Sequence, residues 1–332
     1  SMVTTEQGTD GANRYNLLES IREFARGRLT ASGEFEAQRE RHAEHFARSA
    51  TELKSKQLAR DLAEALRILD ADDAEFRSAL RFTIDTHRHE LAGRIIGGLG
   101  YLWYAAGLFR EVTDLCRTLL DDDPLLSEEI RADVLHSYAS ALSGAGDPET
   151  AIDVLTEQVA IRRRLGDPMR LAGALTNLGN NLVDVGHIEA ARTVLDEAAE
   201  LFVELGESAS LALVECTLAY GEMIEGRYGD AEATFSEALR HARSADHAMS
   251  TAVSMSGLGQ ALTYADRGAD ARPHLVESHE RFVELSVPPG VITADTMLGL
   301  VARNSGDPVT AARHWRSALD GPGQSWFEQD DY

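Results

Sequence analysis

The stretch TNLGNNLVDVGHIEAARTVLDEAAELF, residues 176–202, decides the fold. Its small and apolar residues fall at Leu178-Gly179, Leu182, Gly186, Ala191, Leu195 and Ala198. The same skeleton returns at steps of about 40 residues, within the range of periods that mark repeat proteins. Toward the C-terminus it reappears as Leu218-Ala219, Glu222, Gly226, Ala231, Phe235, Ala238. It then recurs as Leu258-Gly259, Leu262, Asp266, Ala271, Leu275, Ser278, and as Leu298-Gly299, Ala302, Gly306, Ala311, Trp315, Ala318. Toward the N-terminus it reads Tyr138-Ala139, Leu142, Gly146, Ala151, Leu155, Gln158, preceded by Leu99-Gly100, Trp103, Gly107, Val112, Cys116, Leu119. A fixed period of this kind means that stacked units bury one continuous core.

Each unit has a direct physical reading. The large-small pair and the residue three positions on share one face of a first helix, and the missing or minimal side chain lets a second helix approach closely. The glycine at 107, 146, 186, 226 and 306 falls where that helix must stop and supplies the left-handed backbone its end requires. An acidic residue follows at Asp147, Glu189, Asp230 and Asp307, suited to the positive end of a new helix. The second helix then buries a small alanine and, four residues later, a bulky apolar residue. The expectation is an all-α, right-handed superhelical solenoid of antiparallel helix pairs. Its expected divisions are a helical junction over 32–91, six repeats over 92–320 and a tail over 321–332.

Composition agrees. The chain has 332 residues, few aromatics and a formal net charge of -23. Such a surface repels phosphate backbones and anionic membranes, so direct nucleic-acid or membrane contact is not expected. Cys116 and Cys216 lack metal-like spacing and fit a reducing cytoplasm. No apolar run reaches the roughly 20 residues of a membrane span. The polar start SMVTTEQGTDG is no signal peptide. Ser1-Met2 reads as a cloning remnant, so a longer parent chain is expected.

The repeat skeleton resembles the tetratricopeptide repeat, although that unit is about 34 residues long and this one is nearer 40. Ahead of it, residues 2–5 and 14–18 are short β-compatible runs around the turn-rich segment 8–13, followed by helical stretches at 19–31, 34–56, 58–69 and 71–87. The runs RYNLLESIREFARGRL (14–29), RERHAEHFARSA (39–50) and DAEFRSAL (73–80) resemble a junction in actinobacterial transcription regulators of the STAND ATPase class, LuxR-like and AfsR-like proteins included. That resemblance implies that residues 1–31 are the C-terminal part of a winged-helix module, a small β-hairpin remnant with its exit helix. It also implies an ATPase domain upstream.

Signatures of chemistry are missing. There is no Gly-Lys pair and so no phosphate-cradling loop of the GxxxxGK type, and neither a Gly-x-Ser-x-Gly elbow nor a cysteine signature. Gly97-Gly98-Leu99-Gly100 lies in a helix-period segment and reads as close helix packing. His42 and His45 place two imidazoles three residues apart but lack a third ligand, and His87 and His89 read as a solvated helix end. Cys116, Trp103 and Trp315 occupy core slots, and Trp326 is expected to dock on the last helix. No enzyme activity, cofactor or metal is expected.

In tetratricopeptide-like stacks the first helices line a concave surface. The register puts on it Arg94, Gly97, Tyr101 and Tyr104; Asp133, His136, Ser140 and Ser143; Gly173, Thr176, Asn180 and Val183; Leu213, Cys216, Tyr220 and Met223; Val253, Ser256, Gln260 and Thr263; Thr293, Thr296, Leu300 and Arg303. Uncharged polar and aromatic groups outnumber charges on this stripe, as they do in a pocket that orients a ligand. The groove is therefore expected to bind through Tyr101, Tyr104, His136, Thr176, Asn180, Tyr220, Gln260, Thr296 and Arg303. The blander reading is that the first helices bury the stripe against one another. Together these features suggest a sensing region of a cytoplasmic transcription regulator that receives a protein, peptide or small-molecule effector. The alternative is a protein–protein scaffold or homodimerisation module without one.

Overall fold

The structure is a computed structural model that describes residues 3–7, 13–17, 19–58, 62–122, 126–285 and 287–320. The expectation for Trp326, and those for Met2, Leu18 and most of the turn between the β-compatible runs, lie outside them. Among the described residues helices dominate, and none is long and apolar enough to cross a membrane. The chain divides into two compact units, Ser1–Leu165 and Gly166–Tyr332.

The first unit opens with strands β1 (Val3–Gln7) and β2 (Asn13–Leu17), paired antiparallel with Thr5 opposite Tyr15. Helices α1 (Glu19–Ser32), α2 (Phe35–Leu58), α3 (Leu62–Asp85), α4 (His89–Ala105), α5 (Phe109–Asp122), α6 (Glu128–Gly144) and α7 (Pro148–Leu165) follow. The two helical stretches expected at 58–69 and 71–87 form one helix, α3. Nothing in Leu69-Asp70-Ala71-Asp72-Asp73-Ala74 breaks a helix, since it holds neither Gly nor Pro, and surface aspartates cost only a fraction of a kilocalorie.

Helix α4 is the centre of this unit. A Cβ at Gly98 would lie 2.6 Å from the Ala50 backbone of α2, and one at Gly97 would lie 2.8 Å from Asp133 Cβ of α6. A Cβ at Gly100 would overlap Ser137, whose hydroxyl donates to the Ile96 carbonyl at 3.2 Å. The glycine run is thus helix packing, with α4 clamped between α2 and α6. Ile95, Ile96, Leu99, Leu102 and Cys116 are fully buried there.

The second unit contains α8 (Pro168–Asp184), α9 (Ile188–Leu205), α10 (Ser208–Ile224), α11 (Tyr228–Ser244), α12 (Ala248–Tyr264), α13 (Gly268–Glu284), α14 (Pro288–Asn304) and α15 (Pro308–Asp320). Within a pair the space beside the small residue of the first helix is filled by the bulky residue of the second. A Cβ at Gly179 would lie 2.4 Å from Leu195, one at Gly259 2.5 Å from Leu275, and one at Gly299 2.3 Å from the Trp315 indole nitrogen. Trp315 then donates that N–H to the Thr296 carbonyl at 3.1 Å.

The connection inside each pair uses one device. At the end of α8, Gly186 has φ 81°, its N–H reaches the Val183 carbonyl, and the His187 N–H reaches back to Leu182 at 2.8 Å. This satisfies carbonyls the helix would otherwise leave orphaned. Where the repeat replaces the glycine, Asp266 adopts φ 59° with the same bonds, Arg267 N–H to Leu262 at 2.9 Å. Asp147 and Asp307 then cap the following helices, accepting from the amides of Thr150 and Thr310.

Two substitutions test this. Asp266→Gly relieves a left-handed aspartate and should stabilise the protein by up to about 1 kcal/mol in urea titrations. Gly259→Val should destabilise it by about 1–3 kcal/mol through overpacking, outweighing any gain in helix propensity. Combining it with Leu275→Ala should cost less than the two changes summed, because the second vacates the space the first needs.

Candidate functional site

The predicted stripe divides into an open part and a closed part. The open part lies at the C-terminal end of α4. Tyr101 and Tyr104 are exposed, 47% and 41%, with rings stacked at 6.2 Å between centroids and 28° between planes. Tyr104 also lies 5.4 Å from the Phe109 ring. Exposed aromatics held in register present a large apolar area at little entropic cost on binding.

On α6, one turn apart on a common face, stand Asp133 and His136. Asp133 is half-buried, pairs with Lys54 Nζ of α2 at 3.0 Å, and accepts a short hydrogen bond from the Arg162 guanidinium of α7. Arg162 is itself buried and also faces Glu129 at 3.2 Å. Burial first, then the positive Lys54, pulls the His136 imidazole down to about 4 against the opposing attraction of Asp133. Ser140 and Ser143 return their hydroxyls to the carbonyls of their own helix, His136 at 2.9 Å and Ala139 at 2.9 Å.

Lys54 and Arg162 were not read from sequence as part of the stripe. Lys54 belongs to a helix outside the repeat register, and Arg162 sits in the run Arg162-Arg163-Arg164, which reads as a basic helix end. The one available signal was the rarity of lysine, found only at positions 54 and 56.

In the second unit the stripe is largely closed by its own contacts. Asn180 of α8 accepts from the Thr217 hydroxyl of α10 at 2.7 Å. The Gln260 amide of α12 donates to the Tyr220 hydroxyl at 3.3 Å, and the Tyr220 ring meets Phe235 edge-on at 5.1 Å. Cys216, expected on the exposed stripe, is buried against Ser254 at 3.3 Å, and burial pushes its thiol up to about 12. Ser256, Thr263 and Val183 are buried too. Thr176 and Thr296 bond carbonyls of their own helices at 2.8 Å each, and Arg303 is exposed beside Asn304. Between first helices, the Asn180–Thr217 and Gln260–Tyr220 hydrogen bonds are made by side chains on the stripe.

Two further features lie off the stripe. A cleft of about 470 Å³ sits against α11, α12 and α13 with Leu239, Leu258 and Leu262 at its apolar part, and none of the predicted residues lines it. Asp295 of α14 is 2% exposed and accepts from Ser317 at 2.7 Å and His314 at 2.8 Å, with His279 at 3.6 Å. Toward the N-terminus His42, considered as half of a metal pair, bonds Glu75 at 2.8 Å instead.

No family model matches the chain. Proteins from Mycobacterium tuberculosis and Mycobacterium bovis named "Putative HTH-type transcriptional regulator" are 25% identical over 224 residues. The match covers 65% of this chain, and the chain spans about a quarter of the length of those relatives. Among solved structures, a Rap protein complexed with competence and sporulation factor superposes with a TM-score of 0.63 at 12% identity, covering 88% of this chain and 78% of that one. NprR in complex with its cognate peptide NprX superposes at 0.57 with 14% identity, covering 80% and 78%. The fold is tetratricopeptide-like. The chain is also a distant relative of proteins named as helix-turn-helix transcription regulators.

The depressed His136 gives a pH test. In the folded state the ring stays neutral between its ordinary 6.5 and about 4, whereas in the unfolded chain it takes a proton. Its contribution is therefore complete above pH 6.5 and is lost as pH falls toward 4, at up to about 1.4 kcal/mol per pH unit. Urea unfolding across this range should show a slope that His136→Gln reduces.

Proposed function

We propose that this chain is the effector-sensing repeat region of a transcription regulator, and that it receives a peptide or protein segment on the open face of its first unit. The observation that carries this reading is the exposed, stacked Tyr101–Tyr104 pair on α4, four residues beyond the Gly97 that packs against Asp133 of the Lys54–Asp133–Arg162 network. Aromatic faces supply contact area, while the charged groups at the edge of the network supply orientation for a peptide backbone or side chain. The fold likeness to a Rap protein and to NprR, each solved with a bound factor or peptide, supports a peptide as the effector class, and the distant regulators support the setting.

On this reading the chain binds and does not catalyse, needs no cofactor or metal, and works in the cytoplasm. In the longer protein a winged-helix module and a STAND-class ATPase domain of LuxR-like or AfsR-like type precede it, with residues 1–31 closing the winged helix, 32–91 joining it to the repeats and 92–320 forming six of them. Effector binding biases the ATPase only through a difference in affinity between its two states.

A peptide pool screened by thermal shift, with hits measured by calorimetry, tests this. Tyr101→Ala/Tyr104→Ala should weaken a hit by roughly 30-fold or more, the loss of an interfacial aromatic anchor. Absence of hits, or hits indifferent to the double substitution, rejects the reading.

The closed stripe of the second unit favours a second reading for that part, a scaffold or homodimerisation surface without an effector. Sedimentation at several concentrations tests the homodimerisation form of this reading, which requires dimers in the absence of any ligand.

A further inference from the structure

We propose that the cleft among α1, α2 and α3 is a binding site for a phosphate group, carried by a small molecule or by a peptide. It lies on different elements from the tyrosine pair and does not depend on the reading above. The cleft encloses about 440 Å³ and is lined by Arg26 of α1, Arg39 of α2, and Arg77 and Arg81 of α3, with Ala74 and Ser78 completing the wall. No acidic residue lines it, in a chain whose net charge is -23.

The guanidinium groups are not equally engaged. Arg77 is held by Asp73, Nε to Oδ2 at 2.5 Å, and by a short bond to Glu111, so its single charge already faces two carboxylates. Arg39 donates to the Ser78 carbonyl at 3.3 Å and lies over the Phe82 ring at 4.6 Å. These contacts fix its plane and leave its charge without a carboxylate. Arg26 and Arg81 form neither hydrogen bond nor ion pair with their side chains among the described residues. Three guanidinium groups without a carboxylate partner among the described residues therefore line one wall, where an entering anion would meet them together.

Phosphate fits this arrangement better than the other anions. It offers three acceptor oxygens and a charge of about -1.5 to -2, which several guanidinium forks meet with paired hydrogen bonds. A single carboxylate has two oxygens and one charge, enough for one fork. A nucleic-acid duplex would extend its charges, about one every 1.7 Å, far beyond a cleft of this size. A lone phosphate group feels mainly the arginines, because salt screens charges beyond roughly 8 Å.

Calorimetric titration of the full chain with inorganic phosphate, pyrophosphate, a phosphoserine peptide and its glutamate-substituted twin tests the proposal. At least one phosphate-bearing probe should bind saturably, with an affinity that falls as salt rises. Arg26→Ala/Arg81→Ala should weaken it about tenfold or more, with helical content and the unfolding midpoint unchanged. Arg26→Lys/Arg81→Lys, which keeps the charge but loses the fork, should retain binding at an intermediate level. It also serves as the test variant if the alanine pair fails to fold. Comparing pyrophosphate with the phosphopeptide identifies the carrier. No saturable binding of any phosphate-bearing probe, equal binding of the glutamate twin, or affinity indifferent to both arginine variants would overturn the proposal.

Discussion

The structure depends on one steric relation: a first helix that gives up a side chain so that a second can place a bulky one there. Gly179 yields to Leu195, Gly259 to Leu275 and Gly299 to Trp315. Because protein interiors are packed as densely as organic crystals, such a relation leaves little slack. It fixes how near two helices lie, which face of each is spent on the other, and which face remains. In the first unit the same economy is applied on two sides of one helix, since α4 surrenders side chains to α2 and to α6.

That constraint explains why the inner stripe has two characters. Where first helices close on one another, polar groups on the shared face must find partners or carry the cost of burial. Asn180 with Thr217 and Tyr220 with Gln260 are those partners. Where α4 presents Tyr101 and Tyr104 at its C-terminal end, the rings stay exposed. Aromatic content alone does not separate the two situations. Tyr101 and Tyr220 hold the same place in the repeat pattern and differ in what stands opposite.

The repeat was legible from the chain because its period, its turn glycines and its small-then-bulky pairs are all local. Asp266 was legible as a turn residue for the same reason, and its left-handed backbone agrees with the glycines it replaces. The stripe was legible as a list and not as a surface. Whether Cys216 meets solvent or Ser254 depends on the distance between the first helices of successive repeats, which no local pattern encodes. The ion network was hidden for a similar reason. Lys54, Asp133 and Arg162 come from three helices with different relations to the repeat, and only packing brings them together. The four arginines of the N-terminal cleft are scattered from Arg26 to Arg81, and the net charge of the chain masks their local excess.

The turn glycines carry a consequence for how such a chain changes over time. At Gly186, Gly226 and Gly306 the space where a side chain would stand is empty, and the backbone bonds that end the helix belong to the helix itself. Each joint is thus sealed internally and faces outward. Each helix pair carries one such joint at its bend: material can be inserted there without touching the small-and-bulky contacts that fasten the two helices together. Growth by copying is then an easy route for this architecture, because the packing constraint falls on the buried faces and leaves the exposed ones, where the tyrosine pair and the arginine cleft are found, free to change.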